Sequence, residues 1–407
     1  MTEAASPRVP HAVALYLAVV QFLFVTTWTV YAIFLPQLLE SAGIPARYTL
    51  WVLMFDQLVF MVTDVAMGVA ADRAGRILGR IGPLIIGGTV VSSIAFLLIP
   101  HAALLGRAAA PASLMLVLIW AATSSALRAP PWVLLSKYAA APSLPWTNAL
   151  MLSGLAIGVA LAPYLGVTLK NLDPRLPFAL SSLTLLAVTV GLVRVEQYLA
   201  LRPRVSERPV APASALVAGA GVFLVGCLVL AQGFQIHASL NSAGQYLRYA
   251  RPEQLEYLMP VFWIGVNVAM FPGAALAKRY GTLPVIAAAA LIGAGGTLLS
   301  ARAPSLDLLI AGQLVAGGAW GCVMMATFSA ALEFGRTGRE GLALGLLFGV
   351  LAAATLSRMA MMAGGVHRLP EFAPVLNWAP IVLWFAGGAL FTALAVRPRR
   401  ANARPIG

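Results

Sequence analysis

Charge is scarce in this chain. Only 10% of its 407 residues are Asp, Glu, Lys or Arg, against about 25% in an ordinary soluble domain. Acid is scarcer still, with 14 carboxylates set against 27 Lys and Arg. Such a composition excludes a soluble enzyme, and a 60% hydrophobic content excludes a disordered chain. Cys227 and Cys322 are the only cysteines, and both lie inside apolar runs. They form neither a disulfide framework nor a metal-binding spacing. There is no phosphate-binding P-loop, no His/Cys metal cluster and no catalytic-triad pattern, so no catalytic residue, metal or cofactor is assigned. Nothing in the sequence would let the chain use ATP directly.

Long apolar runs are what the sequence has in abundance. A helix needs about 20 apolar residues to cross a bilayer. Twelve such spans are read near 12–36, 48–71, 81–100, 112–134, 146–168, 177–195, 214–236, 256–277, 282–301, 305–331, 341–363 and 375–396. The chain is therefore read as an all-α membrane protein with twelve transmembrane helices. The first span is too long for the apolar core of a signal peptide. One charged, proline-rich break, RVEQYLALRPRVSERPVAP at 194–212, divides the spans six and six. The expected units are an N-terminal bundle (1–195), a linker on the cytoplasmic side (196–212) and a C-terminal bundle with a basic tail (213–407).

The net charge of +13 does not point to nucleic acid, because the basic residues are scattered between apolar runs rather than gathered on one domain. Topology accounts for them better. With the N-terminus inside, the cytoplasmic segments hold 17 Lys and Arg and the outer loops hold 8. That asymmetry places both termini in the cytoplasm of a multi-pass inner-membrane protein. The expected partners are the lipid bilayer and a small-molecule substrate, without nucleic acid, and the chain is taken as a monomer.

Between the second and third spans the sequence reads GVAADRAGRILGR at 68–80. Gly68, Asp72, Arg73, Gly75, Arg76 and Arg80 resemble the cytoplasmic signature loop of the major facilitator superfamily. Glycine at 68 permits close helix approach and glycine at 75 a tight turn, while Asp72 can face the positive N-terminus of another helix. The resemblance implies that this helix is the eleventh, beginning near Gly341, and that the arginines pair with acids to hold two halves shut. A degenerate copy, GAALAKRYG at 273–281, lies 206 residues further on when Arg73 is aligned with Arg279. Such a repeat implies two pseudo-symmetric six-helix bundles. Span five carries Gly154, Gly158, Ala162, Pro163 and Gly166, which is similar to the glycine-and-proline motif of the superfamily's antiporters. A narrower similarity, to its cation-coupled glycoside symporters, rests on Asp64 and Arg358, with Phe60 standing where a second acid is expected.

Four ionisable residues lie well inside predicted spans, away from their ends: Asp56, Asp64, Arg128 and Arg358. Each costs about 2.5–3.5 kcal/mol at a helix centre on insertion scales, so such groups face partners or water-filled cavities. Asp64 and Arg128 sit at similar depth and are read as an ion pair, either structural or switchable by a proton. Asp56 precedes Asp64 by eight residues, about 12 Å on the same helix side, so both are expected to line the cavity. Arg358 suits a carboxylate or phosphate group. Gln232, Gln235 and His237 in span seven, Gln21, Trp28 and Tyr31 in span one, Asn267 in span eight and Trp320 in span ten complete the candidate substrate- and ion-binding set.

The resulting expectation is a secondary transporter that moves a small anionic or amphipathic solute by alternating access, with a proton as the coupling ion. The alternatives are a sodium- or proton-coupled sugar symporter and a non-transporting receptor or assembly factor built on a transporter fold.

Overall fold

The computed structural model describes residues 11–77, 80–139, 141–201, 213–335 and 338–396, with side chains at 141 and 213–218 left aside. Among these residues there is no strand. Eleven stretches are long and apolar enough to cross a membrane. One of them, Gly82–Ser136, turns at Gly106, whose φ of 54° breaks the helix. It counts as two, which gives twelve passages. Helix is the outcome these apolar runs dictate, because hydrocarbon offers no partner for a free N–H or C=O and a helix satisfies both within one segment.

The helices are α1 (His11–Ser41), α2 (Thr49–Ile77), α3 (Gly82–Leu98), α4 (Ala109–Ser124), α5 (Ala129–Ser136), α6 (Leu144–Leu169), α7 (Arg175–Val190), α8 (Leu192–Ala200), α9 (Ala213–Phe234), α10 (Ser242–Tyr246), α11 (Leu255–Leu258), α12 (Pro260–Tyr280), α13 (Thr282–Arg302), α14 (Leu306–Gly335), α15 (Glu340–Ala363) and α16 (Ala373–Val396). In the first part of the chain α1 packs on α6 and α7, and α3 on α4 and α7. In the second part α12 and α13 pack on α14, and α16 on α9 and α13. Two seams join the parts, α2 with α15 and α6 with α12.

Three local features differ from the sequence reading. Span four is not continuous. It breaks at Arg128 (φ −91°, ψ −89°) between α4 and α5. Pro130 and Pro131 are the cause, since neither can donate to the preceding turn. The carbonyl of Leu127, stranded four residues before Pro131, accepts instead from Gln21 Nε2 at 2.8 Å. Span seven likewise ends its regular helix at Phe234 and continues as a π-helical segment, Gln235–Asn241, into α10. The break at 194–212 begins as helix: α8 runs to Ala200, buries Leu192 and Leu199, and aims Glu196 at the N-terminus of α3. Glu196 accepts there from the backbone of Ile81 at 2.6 Å and of Gly82 at 3.1 Å. Residues 202–212 of the expected linker, like Arg8 and the basic tail, lie outside the described residues.

The α2–α15 seam is close enough to require glycine. A Cβ added to Gly68 would fall on the Gly341 carbonyl, and one added to Gly341 on the Gly68 carbonyl. At Gly345 it would lie 2.5 Å from the Asp64 carbonyl oxygen. This contact lies at the end of the molecule that also carries Arg73, Arg76, Lys137, Lys278, Arg279 and Arg339, here termed the basic end.

Candidate functional site

The basic end is held by the signature loop. Asp72 accepts from Gly341 N at 2.7 Å and Leu342 N at 3.0 Å. A carboxylate thus satisfies the free first-turn donors of α15 and meets the positive end of its dipole. Arg76 and Lys137 lie beside Asp72, and Arg76 Nη1 donates to the Gly338 carbonyl at 3.2 Å. Gly75 does not make a turn, because α2 continues to Ile77. Its missing side chain leaves room for the Lys137 ammonium. Arg73 and Arg80 are exposed.

One layer deeper, Asp64 and Arg128 form an ion pair, Nε to Oδ2 at 3.0 Å. Asp64 is fully buried. The pair is charge to charge without hydrogen-bond alignment, and Asp64 Oδ1 has no hydrogen-bond partner among the described residues. The Arg128 guanidinium lies over two rings, Phe60 at 4.7 Å and Phe348 at 4.9 Å. Phe60 is on α2, Phe348 on α15. The break at Arg128, forced by the prolines, is what turns this side chain into the seam.

Phe348 also belongs to an aromatic plug. Trp132 on α5 meets Phe328 on α14 at 5.1 Å and Phe348 at 5.7 Å, and the two phenylalanines meet each other at 5.1 Å. Asn148 on α6 donates to Ser329 Oγ on α14 at 3.0 Å in the same buried region. One cation therefore links an acid of the first part of the chain to a ring of the second, and that ring helps to close the seam.

Beyond the plug lies a cavity of about 160 Å³. It is walled by α6 on one side and by α9, α12, α14 and α15 on the other. Trp320 stands midway along the 30-residue α14, and Thr355 is ten residues, about 15 Å, further along α15 than Gly345. Phe234 and Trp320 stack in this wall with centroids 4.3 Å apart and planes within 5°. Trp263 meets Phe234 edge-on at 6.0 Å. Gln235 Nε2 donates to Thr355 Oγ1 at 2.9 Å, joining the π-helical segment to α15. Among the described residues, no Asp, Glu, Lys, Arg or His lines this cavity. Two larger cavities, of about 270 and 480 Å³, hold none of the sequence-predicted residues.

The candidates are thus dispersed rather than gathered. Gln235 and Trp320 line the cavity, whereas Asp64 and Arg128 sit in the seam. Asp56 lies apart from both, buried in an aromatic core of the first part of the chain. There Tyr31 donates to its Oδ2 at 2.7 Å, and Tyr31 packs on Trp120 at 4.4 Å and Trp28 at 5.8 Å. Gln21 serves the break at Leu127. His237 is buried beside Gln313, whose amide donates to Gln245 Oε1 at 3.0 Å. Asn267 bonds back to the Trp263 carbonyl at 2.9 Å. Gln232 is half-buried on α9. Arg358 is half-buried near Met362 Sδ at 3.5 Å, its Nε without a partner among the described residues. Sequence reasoning missed Phe60, Trp132, Phe328, Phe348 and Thr355. The Pro-Pro step was the one signal that marked their neighbourhood.

No family model and no curated protein matches this sequence. Solved structures do. The chain is similar to the human organic anion transporter MFSD10 (TETRAN), at 15% identity and TM-score 0.67 over 95% of this chain and 99% of that one. It is similar to the Escherichia coli fucose:proton symporter FucP, at 15% identity and TM-score 0.70 over 96% and 99%. It is also similar to a bacterial homologue of the iron transporter ferroportin in an outward-facing state, at 13% identity and TM-score 0.72 over 95% and 100%. FucP is described as a major facilitator superfamily transporter, and the chain has that superfamily's all-α, multi-pass membrane fold.

Proposed function

We propose that this chain moves a small amphipathic solute across the membrane by alternating access, with proton binding at Asp64 as the coupling step. The observation that carries this reading is the position of Arg128, paired to Asp64 and laid over Phe60 and Phe348. Two neighbouring charges buried together neutralise each other, and removing one leaves the other strongly destabilised. A proton on Asp64 cancels the carboxylate and leaves the guanidinium without a counter-charge. Arg128 then gains by reaching water, and reaching water takes it off Phe348. The plug of Trp132, Phe328 and Phe348 loosens, and the α2–α15 seam opens at the basic end. The solute leaves the cavity on that side, and loss of the proton restores the pair.

The positive-inside asymmetry supports a cytoplasmic basic end with both termini on that side of an inner membrane. A second reading, an anionic solute, rests on Arg358 and its free Nε.

Proteoliposomes test the coupling. With a transported solute, an imposed pH gradient drives accumulation in the unaltered protein. Asp64→Asn is expected to abolish accumulation while keeping solute exchange, because an amide can neither bind nor release the proton. Undiminished gradient-driven accumulation in Asp64→Asn would overturn the assignment. A flux driven by sodium and indifferent to pH would replace the proton with sodium.

A further inference from the structure

The cavity suggests a chemical class of solute, an inference that rests on the transport reading above. We infer that it takes an uncharged solute with a single aromatic ring and one hydrogen-bond acceptor, such as an aromatic amide.

Size is the first argument. An engineered cavity of about 150 Å³ holds benzene, and this one measures about 160 Å³. The second is the wall. The stacked Phe234 and Trp320 and the edge-on Trp263 offer ring faces and edges, and aromatic pairs gain from offset or T-shaped contact beyond the area they bury. Met270 and Met324 complete the lining, and thioethers adapt their shape to a ring and favour contact with its edge.

The third argument is the polar handle. Among the described lining residues, Gln235 and Thr355 alone carry side-chain oxygen or amide groups, beside the indole N–H donors of Trp263 and Trp320. Thr355 Oγ1 accepts from Gln235 and donates to the Leu351 carbonyl at 3.0 Å. The second amide N–H of Gln235 has no partner among the described residues, so it can donate to a ligand carbonyl. The fourth is charge. A carboxylate in this cavity would find no cation in the lining, and burying an unpaired ion is strongly unfavourable. Arg358, three residues after Thr355 on α15, contacts Met362 and is not part of the wall. A sugar, with hydroxyls around its whole ring, would leave most of them unpaired against Trp, Phe and Met.

Three small probes separate these features on the full chain in lipid nanodiscs, read by calorimetry and thermal stabilisation. Benzamide has the ring and the acceptor. Benzoate is its near-isostere with a charge, and cyclohexanecarboxamide keeps the amide without the aromatic ring. Benzamide is expected to bind, benzoate at least ~10-fold more weakly, and cyclohexanecarboxamide about 2–10-fold more weakly. Gln235→Leu should weaken benzamide about five-fold and lower the unfolding temperature of the ligand-free protein only slightly, through loss of the neutral bond to Thr355. Ala156→Trp, which fills the cavity, should abolish benzamide binding, and Arg358→Gln should leave it intact.

Benzoate binding as tight as benzamide, or no binding by benzamide, overturns the chemical class. Benzamide binding that survives both Ala156→Trp and Gln235→Leu overturns the location. The transport reading fails separately. If benzamide binds as expected but proteoliposomes never move it, the class stands and transport falls. If proteoliposomes move benzoate or a hexose while benzamide does not bind, transport stands and the class falls.

Discussion

The seam at the basic end and the cavity beside the middle of α14 are built from opposite materials. The seam uses backbone against backbone at Gly68 and Gly341, a carboxylate on a helix N-terminus, and a buried ion pair. The cavity uses stacked rings, thioethers and one amide–hydroxyl pair, with no charge among its described lining residues. The contrast suggests that gating and recognition are carried by different residues. Asp64, Arg128 and Asp72 lie in the seam that the proposed cycle would open, whereas Asp56 and Arg358 lie outside it, and the part that would hold the solute looks bland in a sequence.

This division is open to direct attack. Arg128→Ala should have the largest effect, because it strands the Asp64 carboxylate. About 3–5 kcal/mol of stability is at stake, read as a large fall in thermal unfolding temperature, and Asp64→Asn added to it should recover much of the loss. Gly68→Val comes next. Its side chain cannot fit against the Gly341 carbonyl, and overpacking costs about 1–3 kcal/mol. The expected outcome is a seam biased open, seen as greater labelling of cysteines placed on the facing sides of α2 and α15. Asp72→Ala removes two hydrogen bonds from the first turn of α15. At about 1 kcal/mol for a lost cap, it should shift the same labelling in the same direction by less. Asn148→Ala, which removes one neutral bond to Ser329, should have the smallest effect, about 0.5–1 kcal/mol. A change in benzamide affinity in the Gly68 or Asp72 variant that exceeds its shift in labelling would break the division between the two regions.

Some of this was legible in the sequence for physical reasons. Twelve apolar runs fix twelve passages because a chain in hydrocarbon has almost no alternative to helix. Asp72 meets the N-terminus of α15 near Gly341, as the signature-loop resemblance implied. Asp64 and Arg128 pair because two opposite charges at one depth are each too unfavourable alone. Other features were not legible. Glycine at 75 suits a turn, but α2 runs past it and the glycine makes room for Lys137. Asp56 and Asp64 share a helix side eight residues apart, yet α1 covers Asp56 with Tyr31 while Arg128 reaches Asp64. Gln21 looked like a solute ligand and instead satisfies a carbonyl freed by Pro131, 110 positions away.

The sequence by itself determined the helical class, the number of passages and the residues that had to find partners, because those follow from transfer energies and helix geometry within one segment. Beyond the Asp64–Arg128 pair and the Asp72 contact, the tertiary structure decided which partners they found. Gln235 meets Thr355 across 120 residues and Gln21 meets the Leu127 carbonyl across 106. A proline break in one helix and a π-helical turn in another reorient the side chains that follow them. Such rotations carry no signal in hydrophobic period, so the separation of the charged seam from the aromatic cavity emerges only when the helices pack.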